Sequence, residues 1–123
     1  DKKKYNNLAE KEIKIYKLLG KSNNVIELYS HNIDEGYVYL YLELCLTNLK
    51  DYIEEQNNFL NLKLDNIDIL KQITEGLDYL HNKNTTTVIH GNLKPQHVLI
   101  SYPDKNKKNY IKLADFTLSK QLD

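Results

Sequence analysis

The feature that most constrains this chain is the stretch 88–100. Two short apolar runs, Val88-Ile89 and Val98-Leu99-Ile100, bracket a mostly polar segment carrying His90, Asn92, Gln96, His97 and the pair Lys94-Pro95. That pattern predicts two strands holding a polar loop between them. Loops of this kind are a common seat of chemistry, because rigid flanks fix where their side chains point.

The residues after the loop extend the pattern. Val98-Leu-Ile-Ser and Tyr110-Ile-Lys-Leu-Ala read as strands, and Pro103-Asp-Lys-Asn-Lys-Lys-Asn between them reads as a solvated turn. The lysines of that turn are read as a solubilising tip and not as a binding patch. Residues 98–114 separate His97 from Asp115-Phe116-Thr117, which is room for a strand, a turn and a second strand.

Upstream, Asn7-Leu-Ala-Glu10 predicts a helix start and Gly20 its stop. On that helix Glu12 has Leu8, Ala9, Ile15 and Tyr16 as its neighbours one turn away, so its carboxylate points to the core side. There it requires either water or a cation supplied from elsewhere. Val25-Ile-Glu-Leu-Tyr and the run 37–44 predict an antiparallel hairpin turning at Asp34-Glu35-Gly36. Leu49, Tyr52 and Ile53 give a short amphipathic helix. Asp65 caps a longer one that runs to about His81, with Ile67, Leu70, Ile73, Leu77 and Leu80 as its core stripe. Residues 83–87 are a connection, with Thr85-Thr86-Thr87 as an exposed extension.

Composition narrows the functional classes. The 123 residues suffice for one small domain with a core of its own. Acidic and basic side chains balance at 17 each, so charge gives no reason to expect nucleic acid or an anionic membrane as partner. Every basic residue is Lys, which leaves no guanidinium fork for bidentate phosphate recognition. A lone Cys45 excludes an internal disulfide and fits a reducing compartment. No apolar run approaches the ~18 residues of a membrane span, and the expected placement is soluble and intracellular. A start at Asp1 without any Met reads as a segment of a longer parent. Among His31, His81, His90, His97 and Cys45, no two stand at metal-ligand spacing on one element.

The loop and the triplet that follows the strands resemble the catalytic loop of protein kinases, H-R-D-L-x-x-x-N, and its later D-F-G. His90, Leu93, Lys94, Pro95, Asp115 and Phe116 match in identity and order. The phrase ELCLTNLKDYIEEQ, with the long helix and HGNLKPQHVLIS after it, most resembles the inositol-requiring kinase/endoribonucleases of the unfolded-protein response, and next the oligoadenylate-activated ribonuclease. The resemblance implies an α+β, protein-kinase-like but partial fold, from the C-helix to the D-F-G position. Residues 1–44 would belong to the small lobe and 45–123 to the large one. It also implies ATP and Mg²⁺ as cofactors, in the intact parent only. Glu12 would pair with a strand lysine, upstream of Asp1, that holds the α- and β-phosphates. Leu42 would limit the pocket behind the adenine, and Glu43 and Cys45 would belong to the hinge whose backbone bonds it. Asp115 would hold metal, His90 would bond backbone near the Asp115-Phe116 turn, and 118–123 would begin the activation segment.

Several positions depart from the family pattern. Asn92 stands at the place of the base Asp beside Lys94, and a carboxamide is not a useful proton acceptor near neutral pH. His97 replaces an Asn whose oxygen holds Mg²⁺, and imidazole suits softer metals, so His97 with Asp115 makes a weak metal position. Gly91 removes the Arg that pairs with a phosphorylated activation loop, and Thr117 replaces a glycine whose freedom helps that loop move. The expectation is a Ser/Thr kinase-like, nucleotide-binding pseudokinase, acting through conformation and a protein partner or kinase-domain dimer. It would lie in the cytoplasm or on the cytosolic face of a membrane protein. The alternative is an active Ser/Thr kinase with weak phosphotransfer.

Overall fold

The structure, a computed structural model, describes residues 2–59, 62, 64–83 and 85–122, with the side chains of all but 2–6 and 56–57. Asn84 in the expected 83–87 connection, and Asp123 at the end of the expected activation segment, lie outside the described residues. In chain order the elements are α1 (Lys2–Leu19), β1 (Leu28–Asp34), β2 (Tyr37–Leu42), β3 (Cys45–Asn48), α2 (Leu49–Glu54), α3 (Asn66–Asn82), β4 (Thr87–Ile89), β5 (Val98–Ser101), β6 (Ile111–Leu113) and β7 (Lys120–Leu122). The arrangement is α+β.

Helix α1 buries Ile15, Tyr16 and Leu19 along one face, and Gly20 stops it by taking φ +62, with its N–H bonded to the Tyr16 carbonyl at 3.0 Å. The helix starts well before the expected cap at Asn7. Capping side chains serve N–H groups that lack a carbonyl one turn back. Here the preceding turn of helix supplies those carbonyls, so the Asn7–Glu10 pattern lies inside the helix.

The hairpin turns on Glu35 and Gly36, at φ +49 and +82, a two-residue left-handed turn whose twist matches that of its strands. Its first strand begins later than the sequence suggested, because Val25 and Ile26 are taken by β6. Val25 bridges Leu113 in parallel, and the Ile26 N–H donates to the Leu113 carbonyl at 2.9 Å. The polar run Ser30-His31-Asn32 then forms the strand, registered opposite Tyr41, Leu40 and Tyr39 by the tight turn.

Helix α3 starts where read, at Asp65, whose side chain accepts from the Ile67 N–H at 3.2 Å. Of the expected stripe, Leu80 is buried and Ile73 and Leu77 pack against the core, but the helix is turned so that Ile67 and Leu70 leave it. The buried residues are Ile69, Gln72, Gly76 and Leu80, while Ile67 and Leu70 are 75% and 64% exposed. Two residues set this rotation. A Cβ at Gly76 would lie 2.8 Å from Leu113 Cδ1 and 3.0 Å from the Asn24 carbonyl oxygen, so glycine lets the helix approach β6 this closely without shifting either. One turn earlier, buried Gln72 Oε1 accepts from the Ile111 N–H at 2.8 Å and from Asn24 Nδ2 at 3.0 Å. An unpaired polar group here would cost more than the apolar contacts of a rotated helix return.

The strands then create the site. β5 pairs with β6 and, through β3, forms a three-stranded antiparallel sheet, while β4 pairs with β7. Strand β3, not foreseen in the sequence, leads into α2, with Asn48 Oδ1 accepting from the Asp51 N–H at 2.9 Å. Thr87 is part of β4 and donates its hydroxyl to the His81 carbonyl at 3.0 Å, so it is not in an exposed extension. The two pairings set the loop 90–97, between β4 and β5, against the turn at Phe116, between β6 and β7. Val25, Leu80, Val88, Ile100, Ile111 and Leu113 are wholly buried behind them.

Candidate functional site

His90 ties the loop to the turn. Its Nε2 donates to the Ala114 carbonyl at 2.7 Å and its Nδ1 accepts from the Asn92 N–H at 3.2 Å. Burial holds its pKa below the ordinary histidine value, so the neutral Nε2–H form meets both partners. Its ring lies 5.1 Å from that of Phe116, and Phe116 meets Tyr16 of α1 edge to face at 5.3 Å. Loop, turn and helix are thus joined through aromatic contacts.

Asp115 takes φ +61, a left-handed conformation that Asp tolerates better than most residues. Both of its carboxylate oxygens accept hydrogen bonds. Oδ1 takes the Thr117 hydroxyl at 2.6 Å and the Thr117 N–H at 3.2 Å, and Oδ2 takes His97 Nε2 at 2.9 Å. Burial alone would raise the Asp115 pKa. The bonds from Thr117, and the nearby His97 and His90 rings, outweigh it and hold the carboxyl below its usual range. The other nitrogen of His97, Nδ1, stands 2.8 Å from the Asn92 carbonyl. Both nitrogens of the ring are therefore engaged, one by the turn and one by the loop.

Glu12 faces this cluster from α1. Burial is the main cause that pushes its pKa up, the charge of Asp115 adds to it, and a hydrogen bond from Thr117 acts in the opposite sense. One turn on, the Tyr16 hydroxyl is buried and has no hydrogen-bond partner among the described residues. Asn92, His97, Asp115 and Glu12, all singled out in the sequence, therefore come together. Lys94 is exposed on the same loop and forms no ion pair among the described residues.

Leu42, Glu43 and Cys45 form a second group along β2 and β3. Leu42 closes β2 opposite Leu28. Glu43 pairs with Lys112 Nζ at 3.5 Å, both side chains being largely buried, and its Oε1 accepts from the Glu27 N–H at 3.4 Å. The Cys45 thiol is pushed up to about 11, first by burial and then by the Glu43 charge, so it is not a reactive thiolate.

Sequence reasoning missed three contributors. Thr117 was weighed only as a lost glycine, but the left-handed residue is Asp115, and the Asp-x-Thr spacing is itself the signal of a side chain accepting from the residue two positions on. Gly91, at φ +83, is more than a missing Arg, since a Cβ there would run into the Leu118 carbonyl oxygen. Lys112, on the middle strand position of β6, supplies the cation for Glu43.

This geometry does not suit the magnesium ion that the resemblance implies. Mg²⁺ needs near-octahedral oxygen ligands at about 2.0–2.1 Å, and both oxygens of Asp115 are already capped by donors of the chain itself. A hydrolytic triad does not fit either, because neither nitrogen of His97 is free to take a proton from a nucleophile.

Comparison with known proteins agrees with the fold. The chain matches the protein kinase domain family over residues 1–123. It is 34% identical over 122 residues to the serine/threonine-protein kinase/endoribonuclease ireA of Aspergillus fumigatus, covering 94% of this chain and 10% of that protein. It is 32% identical over 122 residues to the sensor for unfolded proteins in the ER, ire1, of Schizosaccharomyces pombe, covering 94% of this chain and 11% of the relative. A calcium/calmodulin-dependent protein kinase type 1 of Macrobrachium nipponense is 34% identical over 115 residues, covering 93% of this chain and 31% of its own length. The chain therefore spans only a small part of the relatives it matches.

Proposed function

This chain belongs to the protein kinase family, and from that premise we propose that the protein containing it is a nucleotide-binding pseudokinase of the inositol-requiring type, impaired in phosphotransfer and acting through conformation and a protein partner or kinase-domain dimer. Residues 1–44 are read as the small-lobe part and 45–123 as the large-lobe part. The observation that carries the reading is Asn92. Its place in the loop, two residues from the buried His90 that anchors the turn, is the place of the proton acceptor in the family motif. A carboxamide there can hold a substrate hydroxyl, but cannot take its proton near neutral pH.

The other residues have roles that leave binding intact. Glu12 faces the cluster with a burial-raised pKa, which suits an ion pair with a lysine from the strand that precedes the helix in the family pattern. Leu42, Glu43 and Cys45 lie where that pattern places the adenine, with Glu43 held in register by Lys112. Lys94, exposed on the loop and without an ion pair among the described residues, is suited to a terminal phosphate. Among the described residues no helix is long and apolar enough to cross a membrane. The likeness to a sensor for unfolded proteins in the ER supports a place on the cytosolic face of a larger protein.

The test is phosphotransfer by the full-length protein with labelled ATP and Mg²⁺. The expected result is no autophosphorylation above background. Strong labelling that disappears in Asp115→Ala overturns the reading in favour of an active Ser/Thr kinase.

A further inference from the structure

We propose that His97 and Thr117 close the Asp115 carboxylate against divalent cations, so that the full-length protein binds adenine nucleotide in its metal-free form. The proposal rests on the nucleotide-binding reading above and goes beyond it by naming the form of the ligand.

The geometry that carries it is convergence on one carboxylate. His97 and Thr117 come from different segments, yet each places its donor on a different oxygen of Asp115, Nε2 on Oδ2 at 2.9 Å and Oγ1 on Oδ1 at 2.6 Å. Either one alone would leave an oxygen open to a cation. Loss of a metal site by unrelated substitutions predicts no such agreement.

The ring is also fixed at its far end, with Nδ1 2.8 Å from the Asn92 carbonyl. It cannot swing off the carboxylate without giving up that bond as well, and its side chain is only 15% exposed. A cation approaching Oδ2 would have to displace a donor N–H and then accept an imidazole, a ligand that hard cations disfavour. The Thr117 N–H adds a longer bond at 3.2 Å to Oδ1; it fills one lone pair of that oxygen, and the hydroxyl is what fills the other.

The contact supplies what a metal otherwise would. An uncovered Asp115 repels phosphate oxygens, whereas one that accepts from a ring N–H and a hydroxyl turns less of its negative charge toward them. Lys94, exposed on the same loop, adds a positive charge on the solvent side.

The experiment is calorimetric titration of the full-length protein with ATP, once in EDTA and once in excess MgCl₂, and the same pair of titrations on the His97→Asn/Thr117→Gly variant. For the wild type the two dissociation constants are expected to agree within about twofold, and for the variant Mg²⁺ should tighten binding by ~10-fold or more. Wild-type binding that requires Mg²⁺ overturns the inference while the nucleotide-binding reading stands. A variant that folds, by its melting transition, and is as indifferent to Mg²⁺ as the wild type also overturns it. No wild-type binding in either medium overturns the nucleotide-binding reading itself. The wild-type pair decides the question even if the variant does not fold.

Discussion

Asp115 and Glu12 are carboxylates that face each other across one turn, and the fold treats them in opposite ways. Asp115 sits on a tight turn, collects donors on both oxygens and ends below the usual carboxylate range. Glu12 sits in mid-helix facing the same turn and is pushed up, chiefly by burial. The difference comes from the backbone beneath each. A residue on a turn can draw its neighbours' N–H and O–H groups onto its own carboxylate. In mid-helix those N–H groups already serve carbonyls one turn back, so Glu12 depends on partners from other elements.

The comparison holds only while helix and turn stay in contact, and that contact is Phe116, 1% exposed and set against Tyr16 and His90. Phe116→Ala should therefore have the largest effect, a loss of about 3–5 kcal/mol in urea denaturation of the intact domain. A loss well under 1 kcal/mol would show that helix and turn do not depend on this ring. Restoring the family residue at Gly91 comes next. Gly91→Arg forces a Cβ against the Leu118 carbonyl at a left-handed position, and should cost about 1–3 kcal/mol, although it reinstates a common kinase residue. If Gly91→Arg is neutral, the loop is looser than the Asp115 side of the comparison requires.

Asp115→Ala tests that side directly. It leaves the largely buried His97 ring nitrogen without its partner, while the exposed Thr117 turns to water, and a loss of about 1 kcal/mol is expected near neutral pH. The pH dependence has a definite sign. A carboxyl with a depressed folded pKa contributes stability above its unfolded value and loses it as pH falls through the folded one. The gap between wild type and Asp115→Ala should therefore narrow only in acid. A gap that is unchanged between neutral pH and the acid range would mean that the hydrogen bonds to the carboxylate carry none of it.

How much of this was legible in the sequence follows from how far each signal reaches. The strands around the loop, the Gly20 stop and the Asp65 cap were readable because each depends on a few adjacent residues. The loop and turn were readable as a pair because their spacing implies two strands between them. The rotation of α3 was not, since the apolar stripe at Ile67 and Leu70 gave the stronger periodicity. What decides it is a polar clamp between Gln72, Asn24 and Ile111, residues 39 and 48 positions apart from Gln72. β3 and β7 are too short to show alternation, and they exist because β5 and β4 offer them open edges. At the site, the residue types at 92, 97 and 115 were plain. The closure of Asp115 was not, because it depends on side chains that meet only after β5 pairs with β6.

The smallest effect should come from Glu12→Gln, and its sign is the sharpest test of the contrast. Because burial raises the folded pKa of Glu12, its contribution to stability is present below the unfolded value and is lost as pH rises through the folded one. At neutral pH the ionised side chain therefore works against the fold, near an Asp115 that is also charged. A permanently neutral glutamine removes that cost while keeping the shape, so Glu12→Gln should stabilise the chain by up to about 1 kcal/mol near pH 7. The gain should vanish as pH falls past the ordinary carboxylate range, the opposite trend to a variant that removes a paired acid. In the intact protein, where the proposed function gives Glu12 a lysine from outside this chain, Glu12→Gln should instead lose stability at neutral pH. In that case the two carboxylates differ in where their partners come from, and no longer in whether they have them.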